Sequence, residues 1–419
     1  MFCGSCMHDN TLSTALIQLG CDVQLIPLYT PIRTDEENVS FNKVFLGGIN
    51  VFLQQNVPVF RYLPSFLDGW LNRPSLIDRI ASWSTRTNPQ QLGPLTVSML
   101  QGQSGNQKKE FLRLVKWLTN NVQPNIVNLT NILIGGCVPA IKKKLRVPIL
   151  VTLQGDDLFI ESLSEPYKTQ AILEIRRLVT DIDGFIVFSK FYADFMSDYF
   201  KIPEKRIHIV PLGIKLEDFK TCIQRLPGNS QPTVGYFARI CPEKGFHVLL
   251  DAFLLLRKMK GTEDVHLKVA GWLDRRDRPF FQRQLQKLQR EGAVEAFEHV
   301  GVLDRKEKIK FFQSIDVFSV PTTYREPKAI FVLEALASGV PVVEPAHGTF
   351  PELVTTTGGG CLVQPGNTKE LAHTLHRLLT DWQTRTQLGE LGRQKVMQMF
   401  TAETMAKRTL DVYNHYLSK

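Results

Sequence analysis

Short, almost continuously apolar runs recur along the chain between stretches with helical spacing, and few folds accommodate such a pattern. In the first half they are DVQLIPLY (22–29), NIVNLT (125–130), PILVTLQ (148–154), GFIVFS (184–189) and IHIVPL (207–212). A strand with one wet face alternates apolar and polar residues. These runs do not alternate, so both faces must be covered, as in parallel sheets layered with helices. The pattern restarts after GIKLEDFKTCIQRLPGNSQPT (213–233), whose segment Pro227–Ser230 reads as a linker. The second set is VGYFA (234–238), HLKVAG (266–271), FEHVG (297–301), DVFSVP (316–321), PVVEP (341–345) and CLVQP (361–365).

An α/β fold of two doubly wound, Rossmann-like domains in series follows, since 419 residues exceed one ordinary core. The expected domains are residues 1–215 and 216–398, with a final helix over 399–419 that opens at Thr401 and carries apolar residues at helical spacing. The stretch 31–107 mixes glycine, proline and aromatics without a period and is the hardest to assign.

The net charge of +9 raises the question of an anionic partner. Residues 1–215 hold 22 basic and 18 acidic groups, so neither half is a basic nucleic-acid module. Locally, residues 101–150 carry eight Lys or Arg against the single Glu110. We read this as a solvated helix face with its apolar side in the core; the rival is contact with an anionic membrane or acceptor. No apolar run reaches the ~18–20 residues of a membrane span, and the start lacks the pattern of a signal peptide. The seven cysteines are odd in number and mostly scattered, which indicates a reducing compartment. The expected location is cytoplasmic, at the inner membrane face if the basic stretch docks there.

The densest chemistry lies in PTTYREPKAIFVLEALASGVPVVEP (321–345). A strand ends at Pro321 and a polar loop follows, with Pro327 placed in the first turn of a helix, where proline is tolerated. Such a helix end carries about half a positive charge and free N–H groups that suit phosphate. Glu326 at its mouth and Glu334 inside it would repel phosphate, so they suit sugar hydroxyls, leaving phosphate to cations. Arg239 and Lys244, at the two ends of the loop in VGYFARICPEKGFHVLLDAF (234–253), supply those cations.

Arg239 and Lys244-Gly245, followed by Glu326-x7-Glu334 and EALASGVPVV (334–343), resemble the donor-binding half of the family-4 retaining glycosyltransferases of the GT-B fold. The resemblance extends through IVFSKFYADFM (186–196), IHIVPLGIKLEDF (207–219) and LVQPGNTKELAHTLHRLL (362–379), from about residue 125 to the C-terminus. It implies a metal-independent transferase that moves a hexosyl group from a nucleotide-diphosphate sugar to an acceptor hydroxyl with retention. By resemblance, Arg239 and Lys244 bind the diphosphate, Glu334 the ribose, and Glu326 lies against the donor sugar. It further implies a last helix that crosses back onto the N-terminal domain. No cofactor is expected, and Asp181-Ile182-Asp183, the only Asp-x-Asp, lacks a second ligand cluster for a metal.

The chain departs from that family at three places. EPKAIF (326–331) stands where a glycine-rich turn is usual and puts Lys328 beside the donor. PLG (211–213) stands where Pro-Asn-Gly is common. In VTLQGDDLF (151–159), Gln154 replaces a histidine while Asp157 keeps the aspartate position. Glutamine can only hydrogen-bond, which a mechanism tolerates if the departing phosphate takes the acceptor proton. We therefore expect Glu326, Asp157 and Gln154 at the reacting centre, with His347 a capping or packing residue rather than a donor contact. The rivals are a nucleotide-sugar epimerase of the same fold and a non-catalytic nucleotide-sugar-binding protein. The acceptor, whether lipid, polyol or oligosaccharide, is not legible.

MFCGSCMHDNTL, at the start, holds the only cysteines at motif spacing, Cys3 and Cys6. A redox pair or half a zinc site is the lesser reading, since no second ligand pair exists. We expect GSCMHDN to be a substrate loop in which Gly4, Ser5 and His8 or Asp9 meet acceptor or phosphate. A helix over 10–20 would follow, capped by Asp9 or Asn10 and closed by Gly20. No strand precedes this loop, so the expectation is that Met1 is internal and that the first strand of the N-terminal sheet lies upstream.

Overall fold

The computed structural model describes residues 4–63, 92–219 and 231–418. The linker Pro227–Ser230, Cys3 and part of the 31–107 stretch lie outside the described residues. The chain forms two compact units, one of Leu212–Thr404 and one that runs to Pro211 and takes in Met405–Lys419.

The N-terminal unit is built on four parallel strands in chain order, β1 (Val127–Leu129), β2 (Ile149–Thr152), β3 (Gly184–Val187) and β4 (Ile207–Ile209). Every residue of β2 and β3 is buried, as continuous apolar runs require. Helices α1 (Gly4–Gln18), α2 (Lys108–Trp117), α3 (Val138–Leu145), α4 (Asp156–Glu161) and α5 (Lys190–Phe200) belong to this unit. The basic helix α2 buries Phe111, Leu114 and Val115 while Lys108, Leu112 and Lys116 stay exposed. The last helix, Ala402–Leu417, is tied to the same sheet. Asn128 Nδ2 donates to the Tyr413 hydroxyl at 2.9 Å, and His208 Nε2 bonds the Tyr416 hydroxyl at 2.9 Å.

Two sequence expectations fail here. Residues 22–29 are not a strand; they make single bridges from Leu25 to Ser40 and from Leu28 to Phe45. Pro27 has no N–H to give a ladder, and Tyr29 turns into the left-handed region with φ of 65°. The segment GSCMHDN is likewise no loop. It forms the first two turns of α1, so Gly4, Ser5 and His8 are helical, and neither Asp9 nor Asn10 is a cap. Asn10 spends its side chain on the Glu37 carbonyl and the Val39 N–H instead, so a tertiary contact overrides its capping preference. Gly20 closes the helix with φ of 87°, as read.

The C-terminal unit holds six parallel strands: β5 (Thr233–Phe237), β6 (His266–Ala270), β7 (Phe297–Gly301), β8 (Val317–Phe318), β9 (Val342–Pro345) and β10 (Gly360–Val363). Their order is β10-β9-β8-β5-β6-β7, so the winding reverses between β5 and β8. A doubly wound sheet opens a crevice beyond the carboxyl ends at that point. The helices that position the site are α6 (Phe246–Leu256), α7 (Arg305–Gln313), α8 (Ile330–Ala337) and α9 (Phe350–Thr357). Phe246, Phe253, Phe312 and Phe318 are fully buried, each contributing about 1.5–3 kcal/mol of transfer free energy.

Candidate active site

In the C-terminal unit the loops after β5 and β8 abut at the reversal point. Gly245, with φ of 70°, ends the first loop; a Cβ there would lie 1.7 Å from the Pro321 carbonyl oxygen, so only glycine fits. The Thr323 N–H donates to the Glu243 carbonyl at 2.9 Å and joins the two loops. Tyr236, fully buried, donates its hydroxyl to the Arg239 carbonyl at 3.0 Å and fixes the first loop from below.

This seam brings Lys244 onto Glu326. The ammonium lies 2.6 Å from Glu326 Oε2 and about equally over the Tyr324 and Phe331 rings, 5.1 Å from each centroid. The Tyr324 hydroxyl donates to the same oxygen at 2.6 Å, and the Lys328 and Ala329 N–H groups approach Oε1 at 3.3 and 3.4 Å. Glu326 is 3 % exposed. Burial alone would raise its carboxyl, but the Lys244 charge and hydrogen bond, with Tyr324 and Lys328, hold it down at about 2. Pro327 does not open the helix as expected. Ala329, with φ of 56°, precedes it and α8 starts at Ile330. The Glu326 carboxylate meets the N–H groups of residues 328 and 329, so the chain bends around it before the helix can begin.

Arg239 is exposed and its Nε donates to Cys241 Sγ at 3.3 Å. Cys241 is buried, which raises its thiol, and the Arg239 charge partly offsets that. Lys328 is half-buried and adds its charge to the surroundings of Glu326. His347 bonds the Thr322 carbonyl through Nε2 at 3.0 Å, and burial lowers its pKa, so it holds the loop as a neutral ring. Beside it Gly348, with φ of 62°, passes so close to Glu326 that a Cβ would sit 2.5 Å from its backbone nitrogen. The Thr349 N–H donates to the Glu326 carbonyl at 2.9 Å. Glu334 is not near the exposed end of α8 but buried at 4 %, its Oε1 2.5 Å from Lys308 Nζ.

In the N-terminal unit Gln154 follows β2 and is 7 % exposed. Its Nε2 donates to Asp9 Oδ1 at 2.8 Å and to the Thr130 carbonyl at 3.2 Å, while its Oε1 is buried without a hydrogen-bond partner. Asp9 also meets His8 Nδ1 at 2.9 Å, and His8 packs on the Phe188 ring. The turn is shaped by Gly155, with φ of 102°, and by Asp156, which accepts from the Gln154 and Ile132 N–H groups at 2.9 and 3.2 Å. Asp157 accepts the Tyr192 hydroxyl at 2.6 Å, and Tyr192 in turn accepts the Gly155 N–H at 2.8 Å. Burial raises the Asp157 carboxyl, with the Tyr192 hydrogen bond opposing. Gly4 is exposed and Ser5 half-buried at the start of α1, one turn before His8.

Thus the structure gathers Lys244, Glu326 and Lys328, and separately Gln154, Asp9 and His8; Glu334 pairs with Lys308 and Asp157 with Tyr192. Tyr324, Lys308, Asp156 and Tyr192 were missed in the sequence. So was Glu344, fully buried on β9, whose carboxyl accepts the Val320 N–H at 3.1 and 3.3 Å and is raised well above the carboxylate range by burial. Asp156 carried a readable signal, a carboxylate next to a glycine at a strand end. Lys308 carried none, since a lysine in RKEKIK looks solvent-facing. Among the described residues no group of three or more His, Cys, Asp or Glu side chains is placed to hold a metal ion. Asp183 is occupied by Lys142 Nζ and the Ile149 N–H, both at 2.8 Å.

Two family models match the chain: glycosyl transferases group 1 over residues 223–395 and glycosyltransferase family 4 over residues 93–218. Among characterised relatives, an MMP alpha-(1->4)-mannosyltransferase of Mycolicibacterium hassiacum is 28 % identical over 54 % of this chain and 52 % of its own length. An uncharacterised glycosyltransferase of Methanocaldococcus jannaschii is 26 % identical over 54 % and 59 %. The chain thus matches a little over half the length of these relatives. A glycogen synthase of Mycobacterium tuberculosis is 26 % identical over 72 % of each. In fold the chain is similar to a sucrose-phosphate synthase of Thermosynechococcus elongatus, with TM-score 0.68 at 18 % identity over 97 % and 92 % of the two chains. It is also similar to Anabaena HepE solved with UDP-glucose, with TM-score 0.63 at 16 % identity over 94 % and 99 %.

Proposed function

The chain belongs to the group 1 glycosyltransferases with a GT-B fold, and from that premise we propose that it moves a hexosyl group from a nucleotide-diphosphate sugar to an acceptor hydroxyl with retention. The observation that carries this reading is the Lys244–Glu326 pair, its carboxylate buried and its ammonium half-buried, at the reversal point of the C-terminal sheet where such folds bind nucleotides.

In this reading Arg239, exposed at one end of the β5 loop, and Lys244, at the other, bind the diphosphate. Rupture of the bond between the anomeric carbon and the phosphate builds charge on the leaving oxygen. Cations already in place stabilise that charge more than the ground state, which lowers the barrier. Lys244 is preorganised by Glu326, Tyr324 and Phe331, so little reorganisation remains at the moment of reaction. Glu326, held ionised, faces the donor sugar and stabilises positive charge developing at the anomeric carbon. Glu334 accepts from the ribose hydroxyls, and Lys328 adds a second cation beside the donor. No side chain need act as base, since the departing phosphate oxygen takes the acceptor proton as the new glycosidic bond forms. Gln154, with its carbonyl oxygen unpartnered, accepts a hydrogen bond from a substrate hydroxyl; Asp157 acts through Tyr192 to hold that turn.

The test is incubation of the full chain with UDP-, GDP- and ADP-sugars against lipid, polyol and oligosaccharide acceptors, with product linkage read by NMR. An α-linked product from an α-configured donor is expected. R239A should lower kcat/KM by roughly 10²-fold with the fold intact. An isomerised nucleotide sugar formed without acceptor would instead establish an epimerase, and tight nucleotide binding without turnover a binding protein.

A further inference from the structure

Three helices of the N-terminal unit are fastened into one platform that leaves apolar side chains in solvent. Lys109 Nζ on α2 donates to the Phe60 and Leu63 carbonyls at 2.8 and 3.0 Å, which ties the short helix Val59–Tyr62 to α2. Asn50 and Gln54, buried on the helix Gly48–Asn56, donate to Glu110 Oε1 at 3.1 and 3.0 Å and tie that helix as well. These helices leave Phe52, Val59, Tyr62 and Leu112 exposed, Val59 at 65 % and Tyr62 at 84 %. Leu112 is the i+3 neighbour of Lys109, so it lies beside the seam, in an exposed row with Lys108 and Lys116 four residues to either side. Past Lys116, the exposed Phe41 packs on Trp117 with ring centroids 5.2 Å apart, and the Lys43 ammonium lies 5.9 Å from the same ring. Apolar residues scattered singly over a surface need no explanation, but these share one platform.

The surroundings carry one sign of charge. Residues 38–63 and 92–155 hold ten Lys or Arg, and their only acidic residue, Glu110, is 1 % exposed and bound to Asn50, Gln54 and Arg113. Lys43, Lys108 and Lys116 are exposed, as are Lys143, Lys144 and Arg146 at the end of α3, which packs beside α2. A soluble polyanion would meet the cations and leave the apolar side chains in water. An anionic bilayer takes both, the cations at its headgroups and the tyrosine, phenylalanine and valine at the acyl boundary. Among the described residues no helix is long and apolar enough to cross a membrane, so the contact fits a surface.

We propose that this face of the N-terminal unit docks on an anionic lipid bilayer, with Phe52, Val59 and Tyr62 entering the headgroup layer while Lys108, Lys116 and the α3 lysines meet lipid phosphates. The inference stands apart from the transfer reaction: it concerns where the chain works, not what its donor site does.

The experiment is cosedimentation of the full chain with vesicles of phosphatidylcholine alone and of an equimolar mixture with phosphatidylglycerol. Binding to the anionic vesicles should be at least about tenfold tighter and should weaken as salt rises, since each cation near such a surface contributes roughly fivefold and is screened. V59S/Y62S and K108Q/K116Q, both confined to exposed side chains, should each weaken it at least about tenfold, with circular dichroism unchanged. K260Q/K369Q, which removes the same charge from exposed positions of the C-terminal unit, should change it less than about twofold. No preference for the anionic vesicles, an equal loss in K260Q/K369Q, or full binding in V59S/Y62S would overturn the bilayer as occupant, the last leaving a patch for soluble polyanions. A wild-type chain that ignores vesicles but is dimeric by light scattering, and monomeric as V59S/Y62S, would assign the face to a second copy and overturn the proposal as well.

Discussion

Carboxyl groups in this protein show how position decides chemistry. Glu326 and Glu344 are both buried, yet the first is held at about 2 and the second is raised well above the ordinary range. The difference is the Lys244 ammonium, which contacts Glu326, whereas Glu344 meets only the Val320 N–H. Linkage gives opposite signs. Glu326 has a lowered folded pKa, so its contribution, on the order of 3 kcal/mol, is present above about pH 4.5 and lost as pH falls towards about 2. K244A should therefore move acid unfolding, followed by circular dichroism, to higher pH. Glu344 has a raised folded pKa, so the unfolded state ionises first and stability is lost as pH rises above about 4.5. E344Q should raise the melting temperature at pH 7–8 by a few degrees and leave it unchanged near pH 4. The E-x7-E spacing announced Glu326 and Glu334 in the sequence. Nothing announced that one would meet Lys244 and the other Lys308, because those contacts join residues 82 and 26 positions apart.

Elements were legible where burial alone decides them. The ten strands of the two sheets fall within or beside the apolar runs; β2, β3 and β9 are buried throughout, as strands covered on both faces must be, whereas β4 keeps Ile209 exposed and β7 keeps Glu298 and His299 exposed. Reading failed where a tertiary contact outweighs local preference, as at α1, where Asn10 bonds the 37–39 loop instead of capping. It failed again before α8, where carboxylate contacts delay the helix past Pro327. The turns that carry the site should be correspondingly intolerant. In G348A the new methyl meets the Glu326 backbone at a left-handed position; about 1–3 kcal/mol of stability and at least about tenfold in kcat/KM should be lost, by urea denaturation and kinetics. Y192F removes the hydroxyl that receives the Gly155 N–H and donates to Asp157. It should cost about 1–3 kcal/mol by the same denaturation assay, the penalty of a buried donor left unpaired.

At the scale of the whole molecule, the repeated strand pattern made two α/β bodies readable, whereas the membership of the last helix came only with the resemblance. Periodicity shows that residues 402–417 are helical and says nothing of which sheet they join. That choice is made by Asn128 with Tyr413 and by His208 with Tyr416, partners more than two hundred residues apart. A chain ending at residue 400 should lose amide protection in β1–β4, by hydrogen exchange, while β5–β10 keep theirs. Uniform loss in both sheets would contradict independent closure of the two units.

That discontinuity sets an order of events on the ribosome. The unit whose sheet is synthesised first takes in residues from 405 onward, after the whole of Leu212–Thr404 has been made. At ~5–20 residues per second that interval lasts roughly 10–40 s. For that time the surface meant for the last helix faces water and chaperones, so the first sheet to emerge is the last to be closed.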